Sequence, residues 1–369
     1  MQGWPAELPS AATYPLPSYR RTALLRTFSP VTQTIAPDIL LVRFSAIGDI
    51  LLITPLLRAI RNRYPGARVA VLTKEQYVPL LSHNPHVSEV LAVGAAEGIL
   101  AIAERIRGVR YSHLLDLHGN LRSRALRRLA PGPWRSYEKR VLERTLLITT
   151  KHDRYPGEVP VAERYFEAAK ELEVEPDGGP PDFFLSEEAD CRAAQHLGTL
   201  GLGGERPLVA IAPGAAHETK RWPIEHWIEL VRRITATGAD VVVLGGPDDA
   251  GAARTIVDAA GDNVGGVAGL LGLQETGAVI RRAEVLISGD TGVMHMATGV
   301  GTPVVALFGP TVRQFGFFPY RSPAAVVELE LPCRPCSAHG TRRCPLGHHH
   351  CMRRIVPDTV YTALAASFE

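Results

Sequence analysis

Two doubly wound α/β units in tandem are the fold this sequence predicts, on three observations. Short apolar runs of strand length alternate with segments of helical period. The alternation begins near Ile39 and begins again near Pro207. Gly- and Pro-containing turns punctuate both stretches, as the 34 glycines and 29 prolines of the 369 residues allow. Alternating strand and helix implies parallel sheets covered on both faces.

The first unit opens with the apolar run Ile39–Phe44. A turn over Ser45–Asp49 leads to a helix from Ile50 to about Tyr64, stopped by Pro65-Gly66. Arg68–Thr73 reads as a strand, Glu75–Leu81 as a helix, Val87–Val93 as a strand and Ala95–Arg107 as a helix. Tyr111–Leu117 is a further strand, followed by a basic helix from about Leu121. In the second unit, Pro207–Ala212 is a strand ending in Pro213-Gly214, and a helix runs from Pro223 to Thr237. Asp240–Leu244 is a strand, Asp249–Ala260 and Gln274–Arg281 are helices, and Glu284–Ser288 is a strand. The turn Gly289–Gly292 opens a helix over Val293–Gly299, and Pro303–Phe308 is the last strand. The expected division is therefore 38–190 and 191–356, with a cleft between the carboxyl edges of the two sheets, where open α/β sheets bind ligands. Residues 1–37, rich in proline and without a sustained period, read as a mobile extension. Residues 357–369 read as a closing helix packed back on the first unit.

Composition bounds the function. A formal net charge of +2 gives no global case for a nucleic-acid partner. No apolar run is long enough to span a bilayer, and the N-terminus lacks a basic stretch followed by an apolar one. The expected place is the cytoplasm, with the membrane met only peripherally. No GxGxxG follows the first strand, and neither a Walker loop nor a GxSxG elbow occurs. A DxD metal-binding pair at a strand end is also absent from the sequence.

Five turns at strand ends carry chemistry. Asp49, after the first strand, is either a cleft-facing carboxylate or a helix-start acid. Asp290, Thr291 and Gly292 begin a helix whose free N–H groups suit a diphosphate, with His295 one turn on. Lys220 precedes the helix at Pro223 and could neutralise a leaving phosphate, whereas a lone lysine is otherwise a solvated surface group. Trp222 beside it suits packing better than stacking on a ligand. Asp248 or Asp249 could hold a ribose hydroxyl, and the spacing does not choose between them. Asn120 and the arginines from Arg122 to Arg128 could meet an anionic acceptor or form a solvated helix face.

Several of these segments, in register, resemble one family. ILLVRFSAIGDILLITPLLRAIRNRYPGARVAVLT, LLDLHGNLRS, IAPGAAHETKRWPIEHW and LISGDTGVMHMATGVGTPVVALFGPT are similar to the signature blocks of family 9 glycosyltransferases, the ADP-heptose:lipopolysaccharide heptosyltransferases. The resemblance implies the GT-B fold, an acceptor-binding first unit and an ADP-sugar-binding second. It implies that Asp49 is the catalytic base and that Lys220 stands near the donor phosphates. Thr291 and Gly292 would form the diphosphate turn, with Asp290 and His295 beside it. Asp248 falls where the family usually carries Glu, and His118 where it usually carries Gln. The implied partners are ADP-heptose and a lipid A–Kdo or heptosylated core acceptor, with no cofactor needed for the chemistry.

The Cys333, Cys336, Cys344 and Cys351 cluster stands apart, beside His348–His350. Thiols so spaced are expected to hold a structural zinc or iron–sulfur cluster, the alternatives being free thiols or disulfides. A similar stretch occurs in heptosyltransferase II-like members of the family.

Overall fold

The computed structural model describes residues 36–366, so the extension expected over 1–37 lies almost wholly outside the described residues. Strand β1 (Asp38–Val42) forms where the sequence is continuously apolar, and Ile39–Val42 are buried on both faces. The helix expected from Ile50 is two helices, α1 (Ile47–Leu51) and α2 (Thr54–Arg63). Pro55 has no N–H to give the Leu51 carbonyl, and the Thr54 hydroxyl donates to that carbonyl instead, at 2.6 Å. Then come β2 (Arg68–Lys74), β3 (Glu89–Val93), α3 (Ile99–Arg107), β4 (His113–Asp116), α4 (Leu121–Leu129), β5 (Trp134–Ser136), α5 (Val141–Thr150) and α6 (Val161–Arg164). Glu75–Leu80, expected as a helix, is a 3₁₀ turn with Pro79 inside it. The five strands are parallel, in the order β3-β2-β1-β4-β5.

The second sheet follows α7 (Glu187–Thr199). Its elements are β6 (Leu208–Ala212), α8 (Ile224–Ala236), β7 (Asp240–Val243), α9 (Ala250–Ala260), β8 (Val264–Gly266) and α10 (Leu273–Arg282). They continue with β9 (Val285–Gly289), α11 (Gly292–Val300), β10 (Val304–Phe308) and β11 (Ala324–Glu328). All six strands are parallel, ordered β11-β10-β9-β6-β7-β8. Two short helices, α12 (His350–Arg353) and α13 (Pro357–Ala365), end the described chain.

Two expectations of domain organisation need correction. The boundary at 190/191 falls inside α7, which packs on α10 of the second sheet. The changeover therefore precedes that helix. The closing helix does not return to the first unit. Val360 and Leu364 of α13 join Trp227, Leu230 and Ile234 of α8 in one apolar cluster, and Arg233 of α8 pairs with Asp358.

Between the sheets, α1 lies against α11. A continuous apolar cluster runs from Leu41 and Ile53 through Met294 to Leu286, so the two halves share part of their core. Among the described residues no helix is long and apolar enough to cross a membrane.

Candidate active site

Each sheet has one place where its strand order reverses, between β1 and β4 in the first and between β6 and β9 in the second. Connections leave such neighbours in opposite directions and open a crevice at their carboxyl ends. The turns after these four strands line one cavity of about 460 Å³, whose walls include Asp49, His118, Lys220 and Thr291. Glycines permit the close approach. A Cβ on Gly48 would lie 2.4 Å from the His295 ring, and one on Gly292 would lie 2.6 Å from Ile47 Cβ. The backbone at the start of each helix thus packs directly on a side chain of the other, Gly48 on His295 and Gly292 on Ile47.

Asp49 stands in the first turn of α1, where its Oδ2 accepts the Ala46 N–H at 3.3 Å. The cleft-facing and helix-start readings of this residue both hold. Its Oδ1 is 2.5 Å from the Arg43 Nη2 and accepts the Tyr165 hydroxyl at 3.4 Å. Arg43 is itself fixed by the Ser45 carbonyl at 2.8 Å and the Leu117 carbonyl at 2.5 Å. Burial works to raise the Asp49 carboxyl, but the Arg43 guanidinium and the Ala46 N–H outweigh it, and the net value lies below the ordinary aspartate range. Asp49 is ionised at neutral pH with one orientation of its carboxylate. Sequence reading missed Arg43; its only signal was a charge interrupting the run from Ile39 to Phe44.

The pH profile of activity should expose this pair. Without Arg43, burial is opposed chiefly by the Ala46 N–H, and Asp49 holds its proton to higher pH. In Arg43→Gln the acid limb of kcat is expected to move up by about one to three pH units, while Arg43→Lys restores part of the wild-type profile. An acid limb unchanged in the folded Gln variant rejects the coupling.

Lys220 closes a 3₁₀ turn (Glu218–Lys220) after β6. Its ammonium donates to Asp290 Oδ2 at 2.6 Å and to the Asp290 carbonyl at 3.1 Å. The same Oδ2 accepts the Thr311 hydroxyl at 2.7 Å. Asp290 thus holds the lysine through Oδ2 while itself lining the cavity. Thr291 caps α11 in extended conformation, and its hydroxyl lies 3.1 Å from the Ser288 hydroxyl. The N–H groups of the first helical turn have no partner within the helix and carry its partial positive charge. His295 is buried beneath this turn, its Nδ1 without a protein partner. Burial pushes its pKa down to about 4 against the pull of Asp290 and Asp49, so the ring is neutral at pH 7.

Three predicted binding residues lie elsewhere than expected. Asn120 is the cap of α4, accepting the Ser123 N–H at 2.9 Å. Arg122 lies over the Phe44 ring and donates to the Glu97 carbonyl at 2.9 Å. Neither lines the cavity, because Asn120 caps α4 and Arg122 reaches to the Glu97 carbonyl before α3. Asp248 is exposed and outside it as well. Its neighbour Asp249 is the packed one, pressed against Gly214 and accepting the Gly246 N–H at 3.0 Å. The basic groups that do line the first-unit wall are Lys139, Arg144 and Arg164, with Tyr137 and Tyr155. They come from residues 134–164, where the sequence showed no clear period. Trp222 packs as expected, buried and donating to the Ile355 carbonyl at 2.8 Å.

The cysteine loop also departs from expectation. All four thiols are free, and among the described residues no group of three or more His, Cys, Asp or Glu is placed to hold a metal. The residues present do not fit a zinc or iron–sulfur centre in this arrangement. Burial, and then the neighbouring thiols, raise Cys351 to about 11 and also raise Cys336. Hydrogen bonds hold the loop instead. Arg334 donates to the carbonyls of Gly309, Leu329 and Thr311 and pairs with Glu328. Thr341 exchanges bonds of 2.8–3.1 Å with Thr219, next to Lys220, and His349 Nε2 lies 2.9 Å from the Thr219 carbonyl. The loop thereby braces the lysine turn and brings His339 to the cavity.

Two Rossmann-like parallel sheets facing one cleft are the GT-B arrangement of glycosyltransferases. Residues 99–346 match the family model described as glycosyltransferase family 9 (heptosyltransferase), and the chain belongs to that family. It is a glycosyltransferase. It is 27% identical to lipopolysaccharide heptosyltransferase 2 of Salmonella typhimurium, over 88% of this chain and 97% of that protein. Among solved structures it is similar to E. coli ADP-heptose lps heptosyltransferase II (26% identity, TM-score 0.69, covering 89% of this chain and 98% of that one). The family 9 glycosyl transferase of Veillonella parvula DSM 2008 shares the fold at TM-score 0.76 and 23% identity, with 90% and 97% covered.

Proposed function

We propose that this protein transfers heptose from ADP-heptose to an anionic inner-core lipopolysaccharide acceptor, lipid A–Kdo or its heptosylated form, with inversion at the anomeric carbon. The observation that carries the reading is an oriented, ionised Asp49 sharing one cavity with Lys220 and the α11 N-terminus. The ADP diphosphate lies against the Thr291 and Gly292 N–H groups. The acceptor hydroxyl approaches from the first unit, where Lys139, Arg144 and Arg164 suit an anionic glycan. Asp49 takes the hydroxyl proton as its oxygen bonds to the anomeric carbon. The bond from that carbon to the ADP oxygen breaks, and the leaving charge falls on Lys220 and the helix start. One displacement between a base and a leaving group on opposite faces inverts the centre. The lipid acceptor brings the protein to a membrane surface peripherally.

Mass spectrometry of the products from ADP-heptose and a truncated lipopolysaccharide core tests this. The expected result is a core heavier by one heptosyl residue, with ADP released only when acceptor is present. An unmodified core, or a sugar altered without acceptor, rejects the reading.

A further inference from the structure

We infer that the carboxyl edge of the first sheet is a docking surface for an anionic lipid bilayer. The five strands of that sheet are parallel, so α3, α4 and α5 all begin at one edge. Their first turns present Leu100, Leu121, Val141 and Leu142 to solvent, with Leu121 and Leu142 more than 80% exposed. These are four of the eight exposed large hydrophobic residues among the described residues. Helix α5 has five aliphatic side chains and buries only Leu147. The three helix starts are tied together. Arg122 of α4 donates to the Glu97 carbonyl just before α3, and Lys139, just before α5, lies over Gly119, just before α4.

Charge selects the occupant. Residues 94–151 carry twelve Lys and Arg against five Asp and Glu, whereas the rest of the chain carries 28 against 33. A chain of nearly balanced charge has gathered its positive excess on the segment that exposes its leucines. Of these cations, Arg122, Arg124, Lys139, Arg140 and Arg144 stand at the helix starts beside the apolar tips, a pairing that matches the boundary of a bilayer, where the tips enter the acyl region and the cations meet lipid phosphates. An acidic protein would match the charge and leave the four separate apolar tips unused. His118 and Lys139 from the same edge line the cavity, so a lipid-anchored acceptor reaches the site from the surface on which the protein sits. This extends the reading above by naming the face through which the acceptor arrives, and it is tested with neither donor nor acceptor present.

The test is co-sedimentation of the full chain with vesicles of phosphatidylglycerol and phosphatidylcholine, and with phosphatidylcholine alone. Binding is expected to the anionic vesicles only, weakening as salt rises. The double variant L121E/L142E is expected to bind them at least about tenfold more weakly. Its thermal melting and its transfer to a short, delipidated acceptor should remain as in wild type. Absence of binding to anionic vesicles overturns the proposal, as does equal binding by the folded double variant. Retention on a soluble polyanion without vesicle binding also overturns it. Transfer without vesicle binding would sink the docking surface alone, and vesicle binding without heptosyl transfer would sink the assigned reaction alone.

Discussion

Asp49→Asn is expected to lower kcat by about 10²–10⁴-fold while leaving the affinity for ADP-sugar close to that of the wild type. The amide fills the same space and still accepts the Ala46 N–H, but it cannot take the acceptor proton. The donor contacts proposed at Thr291 and Gly292 belong to the second unit, which the change does not touch. Asp49 also anchors Arg43 inside the protein, so the variant leaves a buried guanidinium without its counter-charge. Some loss of thermal stability should accompany the loss of rate. Steady-state kinetics with isothermal titration of ADP separates the two effects. Near-normal turnover in a folded Asn variant removes Asp49 from the role of base.

The second large effect is expected at Lys220. Removing its ammonium takes away a preorganised cation at the leaving phosphate, and Lys220→Ala should cost about 10²–10³-fold in kcat. Asp290→Asn is expected to act in the same direction with smaller size, because it frees the lysine from the carboxylate that aims it. Single-turnover measurements with donor in excess read both variants. A lysine variant that loses only donor affinity, with kcat intact, would show the group binding the ground state and transition state equally.

Strands buried on both faces were legible because a long apolar run has little else to become. β1, β6, β9 and β10 fall where the sequence placed them. The edge strands β5, β8 and β11 were missed. Two are three residues long, and β11 has only Val327 buried, so none carries a clear run. The segment 134–164 was silent for a related reason, since its helices are short and expose much of their apolar surface. That silence hid Lys139, Arg144 and Arg164. The turns at Asp49, Lys220 and Thr291 were visible because a Gly-containing turn with polar residues follows a buried strand in each case, which marks an edge of the sheet. Asn120 and Arg122 sit at such an edge too, and there the cap of α4 claimed the first side chain and the tie to the Glu97 carbonyl the second. Distinguishing the two cases requires knowing what the side chain touches, which spacing does not encode.

The seam where Gly48 packs on His295 and Gly292 on Ile47 has a further consequence. The distance from the proton acceptor to the proposed phosphate cradle is set by two glycines, each pressed on one side chain of the facing helix start with no room for a Cβ. Replacements around the rim can therefore retune which sugar or lipid is accepted without altering the reaction coordinate. A scaffold of this kind separates the gauge of its chemistry from the choice of its cargo, and lets the second drift while the first stays put.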